Sequence, residues 1–407
     1  MSIMVLSSSI PEDIISTILD ELSDDVQSLK RCSLVSQSFL PHCHKILFSY
    51  ICLDHPTRSR GLYQMITNNA SFTPYIRTIE IISSAHPEFD DHDWVTMEPT
   101  LAPLLRTLHN LHTFALRKKQ LLSHLPWDTL PGDLRFAILG LSVSAIDLAC
   151  VTNVPMGHFG RLVCLKNLRL MRIGSDQGHA LDLGPLDASS PPSPLQPVGY
   201  LESLNISDSP TCGRHFVTTL TDTRSLLKLS RLKDLEMYGD NDFVGTIMEA
   251  AGQSLQRVAL SGLGNDRDYH PSPFIGLPSF STLPALRSLR ITTTFKRGHP
   301  HDPLPLLAQA LAGATPRDTC ALQDLIIYID LYHVWDVYIT PGNVAALEEY
   351  AFWPAFDEAL AARPGAYPKL EKVVVGLLVG CGKEAFAEMP KRRMPMLLER
   401  GVLEFTL

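Results

Sequence analysis

The chain has 407 residues, 45% of them hydrophobic and 19% charged, which is the usage of a folded globular protein rather than a disordered one. Its length exceeds the roughly 250 to 300 residues at which one hydrophobic core stops growing, so two domains or a repeat array are expected. A net charge of −8 supplies no basic field for a phosphate backbone and argues against nucleic acid as a partner.

The eight cysteines are scattered, without a C-x-x-C pair, which predicts reduced thiols and an intracellular protein, cytoplasmic or nuclear. The opening MSIMVLSSSIPED has no basic region before its acidic residues, so no secretory leader is expected. The longest apolar run, near Val373 to Val379, is too short to span a bilayer, and no membrane partner is expected.

Residues 10 to 22, IPEDIISTILDEL, put Pro11 at a helix start and acids in the first turn. Ile14, Ile15, Ile18, Leu19 and Leu22 then recur at helical intervals. Ser23 and Asp24 offer cap oxygens for a second helix, along which Val26, Leu29, Leu34, Val35 and Phe39 follow. Two or three short helices are expected. A segment of about 40 residues cannot bury so many aliphatic side chains within itself, so it should present a docking face.

These residues resemble an F-box: Ile10-Pro11-Glu12, Ile14-Ile15, Ile18-Leu19, Leu22, Leu29 and Leu34-Val35-Ser36-Gln37-Ser38-Phe39 follow its order. The chain departs from the commonest pattern at Ile10, where Leu is usual, and at Phe39, where Trp is usual. The resemblance implies three helices over residues 8 to 52 that insert into the adaptor subunit of an SCF-type cullin-RING ubiquitin ligase. It assigns the adaptor contacts to Pro11, Ile14, Ile18, Leu22, Leu29, Val35, Ser36 and Phe39. The alternative is a helical cap that seals a repeat array and meets no ligase.

From residue 57 to 407 the pattern apolar-x-x-apolar-x-apolar recurs. Its ten copies end at Ile81, Leu116, Leu148, Leu170, Ile206, Met237, Leu260, Ile291, Ile327 and Val375. The spacing runs from 22 residues (Leu148 to Leu170) to 48 (Ile327 to Val375). Each copy ends with the alternation of a half-buried strand. FVTTLTDTRSLLKL, DFVGTIMEAAGQ and LPLLAQALAGA, between copies, carry helical periodicity. Strand and helix alternating in this way predict an α/β fold with a parallel sheet covered on one side.

The pattern is similar to leucine-rich repeats, with Ser84, Ser209, Asp240, Thr294 and Asp330 where that family has Asn; short polar side chains can still bond the turning backbone. The resemblance implies a solenoid after the F-box, whose strand face selects a target protein. In the expected register that face carries Arg117, Arg169, Met171, Glu236, Tyr238, Arg290 and Tyr328, a mixture of Arg, Tyr and Met suited to protein recognition. A compact α/β domain is the other fold the strands allow.

Residues 174 to 199, rich in Pro, Ser and Gly, read as an inserted loop, and 331 to 366 as a second insertion with a helix over NVAALEEYAF and EALAARPG. MPMLLERGVLEFTL predicts a last helix, Gly401 as its stop and a final strand.

His86, Asp90, Asp91, His92 and Asp93 match no closed metal-ligand spacing and read as a solvated loop. His42-Cys43-His44 lies within a helix, where residues two apart do not share a face. GLLVGCGKE is one residue too long for a phosphate loop, with Glu384 in place of Ser or Thr. No G-x-S-x-G and no Cys with a recognisable partner His is present. The expectation is therefore a non-catalytic receptor without metal or cofactor, joined through its adaptor to a cullin.

Overall fold

A computed structural model of the chain describes residues 11–90, 92–120, 123–174, 197–239, 243–262, 277–294, 303–313, 320–330, 348–361, 365–377, 388–389 and 391–406. Nearly all of the first expected insertion, residues 331–347 of the second, and residues 378–387, which hold most of GLLVGCGKE, lie outside them. The fold is mixed α/β with parallel strands, and it divides into two compact units, Met1–Val151 and Thr152–Leu407.

The first unit opens with helices α1 (Glu12–Glu21), α2 (Val26–Val35) and α3 (Leu40–Leu47). Pro11 stands at the N-cap of α1, with Glu12 and Asp13 in the first turn, where the helix dipole favours negative charge. The α2 cap is Asp25, not Ser23 or Asp24: its carboxylate accepts from the backbone N–H of Gln27 (3.1 Å) and Ser28 (3.0 Å). These hydrogen bonds, led by the Ser28 hydroxyl, hold the Asp25 carboxyl below the usual carboxylate range. The helices stop at Leu47, and a strand, β1 (Tyr50–Leu53), follows inside the segment expected to be purely helical.

Three more strands, β2 (Thr78–Ser83), β3 (Thr113–Lys118) and β4 (Ala145–Ala149), pair with β1 in chain order, all parallel. Ile79, Phe114 and Ile146 stand opposite one another and are buried, as are Ile81, Leu116 and Leu148 in the second core row. Helices α4 (Pro56–Asn68), α5 (Leu101–Thr107) and α6 (Gly132–Leu139) lie between them in sequence. Each of the first three recurring copies ends in one of β2 to β4.

The second unit continues the same grammar. Its strands are β5 (Asn167–Met171), β6 (Ser203–Ser207), β7 (Asp234–Tyr238), β8 (Arg257–Ser261), β9 (Ser288–Thr294), β10 (Asp324–Asp330), β11 (Lys372–Leu377) and β12 (Leu403–Thr406). All pair in parallel with their sequence neighbours. Parallel neighbours require crossovers, and among the described residues these include α7 (Pro210–Thr221), α8 (Val244–Ala251), α9 (Pro303–Ala312), α10 (Phe352–Ala361) and α11 (Pro395–Glu399). The expected helix through FVTTLTDTRSLLKL ends at Thr221, after which Asp222 turns the chain to extended backbone.

The register has one phase throughout this unit. Leu168, Leu204, Leu235, Val258, Leu289, Leu325, Val373 and Leu403 form one row across the strands. Leu170, Ile206, Met237, Leu260, Ile291, Ile327, Val375 and Phe405 form a second. Side chains two apart share a face, so each strand from β5 to β11 buries both apolar residues in the core with Phe216, Phe280, Trp353 and Phe356, and on β12 Leu403 and Phe405 are half-buried. At roughly 25 cal/mol per Å² of apolar area, each such Leu or Ile contributes about 1.5 to 3 kcal/mol.

The chain leaves β5, β6 and β7 through left-handed backbone at Arg172 (φ 51), Asp208 (φ 48) and Gly239 (φ 85). Each donates its N–H to the last residue of the next strand, Ser207 (2.7 Å), Tyr238 (3.1 Å) and Ser261 (2.8 Å). Among the described residues no helix is long and apolar enough to cross a membrane.

Candidate recognition surfaces

The N-terminal helices sort their apolar residues into two sets. Ile15, Leu19, Leu29 and Cys43 form a small core, with Leu22, Cys32, Phe39, Ile46 and Leu47 packed around it. Ile14, Ile18 and Val26 are exposed, Leu34 is 86% exposed and Val35 73%. Ile14 and Ile18, one turn apart, share a face of α1, as their i, i+4 spacing requires. Exposed aliphatic side chains of this kind are what a partner surface would cover.

Of the expected adaptor contacts, Pro11, Ile14, Ile18, Val35 and Ser36 are exposed, and Leu22 and Phe39 are half-buried. Leu29 differs: it is wholly buried against Leu19 and Cys43's cluster and offers no surface. Val26 and Leu34, absent from the expected contacts, belong to the exposed set. Ser36 and Ser38 hydroxyls bond each other at 2.8 Å, and Ser36 Oγ accepts from the Ser38 N–H, which fixes the turn between α2 and α3.

On the first unit's sheet, Arg117 is committed to its own neighbours. Its guanidinium reaches Glu80 Oε1 (3.1 Å) and Asp147 Oδ2 (2.5 Å), while the Tyr50 hydroxyl donates to the other Glu80 oxygen. That hydrogen bond, then burial, pushes the Tyr50 phenol up. Arg117 therefore binds β2, β3 and β4 together, a structural use that its place on the strand face alone did not disclose.

The second unit's outward strand positions carry the other six expected residues in two in-register rows, in which Ser261, Val374 and Gly376 are buried. The first reads Arg169, Asn205, Glu236, Ala259, Arg290, Ile326, Val374, Glu404 from β5 to β12. The second reads Met171, Ser207, Tyr238, Ser261, Thr292, Tyr328, Gly376, Thr406. Glu236 is held by its neighbours: Asn205 donates its amide to one carboxylate oxygen and Tyr238 its hydroxyl to the other. Burial, then this bond to Glu236, pushes the Tyr238 phenol up to about 12. A Cβ at Gly376 would stand 2.8 Å from the Tyr328 ring, so the ring occupies the space that only glycine leaves.

Compared with known proteins, the chain matches no family model and no curated protein.

At the turns, Ser209 is fully buried; its hydroxyl donates to Ser207 O (2.7 Å) and accepts from the Ile173 N–H (2.8 Å). One short side chain thus serves two turns. The side chains of Thr294 and Asp330, and all of Asp240, lie outside the described residues.

Among the described residues no group of three His, Cys, Asp or Glu side chains could hold a metal ion. In SSAHPEFDDHDW, Asp93 receives Ser83 Oγ at 3.0 Å and the Lys118 ammonium, and the His86 Nε2 meets His55 Nε2 at 2.7 Å. Cys43, between His42 and His44, is buried, and the His44 ring packs 5.2 Å from Phe72.

Proposed function

We propose that this chain is the substrate-recognition subunit of an SCF-type cullin-RING ubiquitin ligase, with an F-box at its N-terminus and degenerate leucine-rich repeats after it. The observation that carries the reading is the exposed aliphatic set on α1 and α2. A three-helix segment with four fully buried core residues leaves Ile14, Ile18, Val26, Leu34 and Val35 to water. A partner that covers them recovers roughly 25 cal/mol per Å² of apolar area.

The in-register strands, and Ser209 acting where the repeat family has Asn, support the repeat reading. In this scheme the adaptor holds the helices and the strand rows hold a target. Ubiquitin transfer then takes place on other subunits, driven by the raised local concentration of the target. No cofactor is needed for that role, and the cytoplasm or nucleus is where such an assembly works.

The test is a pull-down of the full chain with the adaptor subunit. Wild type should retain the adaptor, and Ile18→Asp combined with Leu34→Asp should lose it while keeping the same urea midpoint. Retention by the double variant would overturn the reading.

One observation favours a second reading, a protein-interaction scaffold in which the helices serve only as a cap. His44 and Phe48 of the helical segment pack on Phe72, at 5.2 and 5.0 Å. In that case a well-folded wild-type chain retains no adaptor.

A further inference from the structure

The outward positions of the second unit's strands carry Glu236 and Glu404 with Arg169 and Arg290 in the rows above, and Asp234 and Asp324 with Arg257 and Lys372 in a third, and several are already matched. Arg257 clasps Asp234 through two bonds, 2.5 and 2.7 Å long. Lys372 reaches Glu404 at 2.5 Å, and Glu236 has Asn205 and Tyr238. Arg290 stands apart: it is exposed and has no ion-pair partner among the described residues.

Its surroundings suit an incoming side chain. Ala259 beside it in the row leaves a gap toward Glu236, and Ile326 on the other side is apolar. In the next row, Ser261 and Thr292 lie between Tyr238 and Tyr328, small residues between two rings. Tyr328 is fixed against Gly376. An exposed guanidinium without a carboxylate of its own among the described residues, flanked in its row by Ala259 and Ile326 and standing between two aromatic side chains, is a place where an incoming carboxylate makes a charge-assisted pair.

We propose that Arg290 receives an Asp or Glu carboxylate from an extended acidic segment of the partner protein, laid across the strands with Tyr238 and Tyr328 on either side. This rests on the reading of the strand face as the recognition surface. The six strands from β5 to β10, spaced roughly 4.8 Å apart, give a track of about 24 Å, which about seven extended residues at roughly 3.3 Å each would cross; at β11 the outward Val374 and Gly376 are buried and end it.

The experiment uses the full chain and fluorescence anisotropy at low salt, with three labelled peptides of that length. One alternates Glu and Ala, one Lys and Ala, and one phosphoserine and Ala. The Glu peptide should bind, weaken tenfold or more with Arg290→Glu or Arg290→Met, and keep most of its affinity with Arg290→Lys. The Lys peptide should not bind, and added salt should loosen the Glu complex.

Unchanged Glu-peptide binding in Arg290→Glu overturns the proposal. So does equal binding of the Lys peptide, or binding confined to the phosphoserine peptide. Each variant is also carried through the adaptor pull-down. Loss of peptide with adaptor retained supports the site, whereas a wild type that takes the peptide but not the adaptor sinks the ligase reading and spares this one.

Discussion

The backbone N–H of Ile173 donates to the hydroxyl of Ser209 at 2.8 Å, although the two residues belong to different turns, and the same hydroxyl donates to Ser207 O. Ser209→Ala leaves a buried N–H without its acceptor, which costs about 1 to 3 kcal/mol. The urea midpoint should fall accordingly, with faster amide exchange at Ile173. Ser209→Asn, which can accept and donate in the same place, should recover part of the loss.

The helical segment gives a contrast between inside and outside. Leu29→Ala removes a wholly buried side chain and should cost about 2 to 5 kcal/mol. Leu34→Ala, at a position 86% exposed, should stay within about 0.5 kcal/mol of wild type. Thermal melts of the two variants compare these directly, and an equal loss would contradict the assignment of Leu29 to the core.

Asp357, in α10 and 3% exposed, accepts from the N–H groups of Met396 (3.0 Å) and Leu397 (2.8 Å) at the start of α11. It caps a helix from another element, in the way a local N-cap would. Asp357→Ala should cost about 1 to 3 kcal/mol, with exchange protection lost first at Met396 and Leu397. Uniform loss of protection across the unit would argue against a local role.

Asp222 ties the end of α7 to the chain beyond it, accepting from Arg224 N (2.8 Å) and Arg224 Nη2 (2.7 Å). The Arg224 side chain, then its N–H, lowers the Asp222 carboxyl to about 2. A carboxyl lowered on folding contributes stability above its unfolded value, near 4, and loses it as pH falls toward the folded one. The difference in urea midpoint between wild type and Asp222→Asn should thus be present at pH 5 and shrink between pH 4 and 2. A pH-independent difference would assign the effect to something other than charge.

The strands were the most legible part of the sequence, because burial of alternate residues leaves a period-two trace that nothing else imposes. All ten recurring copies end within strands, and the closing VLEFTL holds the last. The strand Tyr50–Leu53 escaped because only four residues pair, directly after a helix that ends in apolar residues. Leu29 came to the expected contacts through the resemblance alone; with apolar residues on more than one face of α2, periodicity could not say that its side is the buried one.

The strand-face positions were readable down to their rows, but their use was not. Arg117 and Arg290 look alike in the sequence. Only the neighbours across the sheet, Glu80 and Asp147 for the first, separate a side chain that holds strands together from one that is left to water. Those neighbours are distant in sequence, so local pattern carries no trace of them.

The constant phase of the second unit's strands separates two kinds of heritable change. Asp234 and Arg257, and Asp324 and Lys372, are register partners although very different lengths of chain join them. Lengthening a connection therefore leaves every row where it was. The outward positions of each strand can be rewritten while the inward ones keep the core, so such an architecture can exchange one binding partner for another by substitutions that scarcely register in its folding.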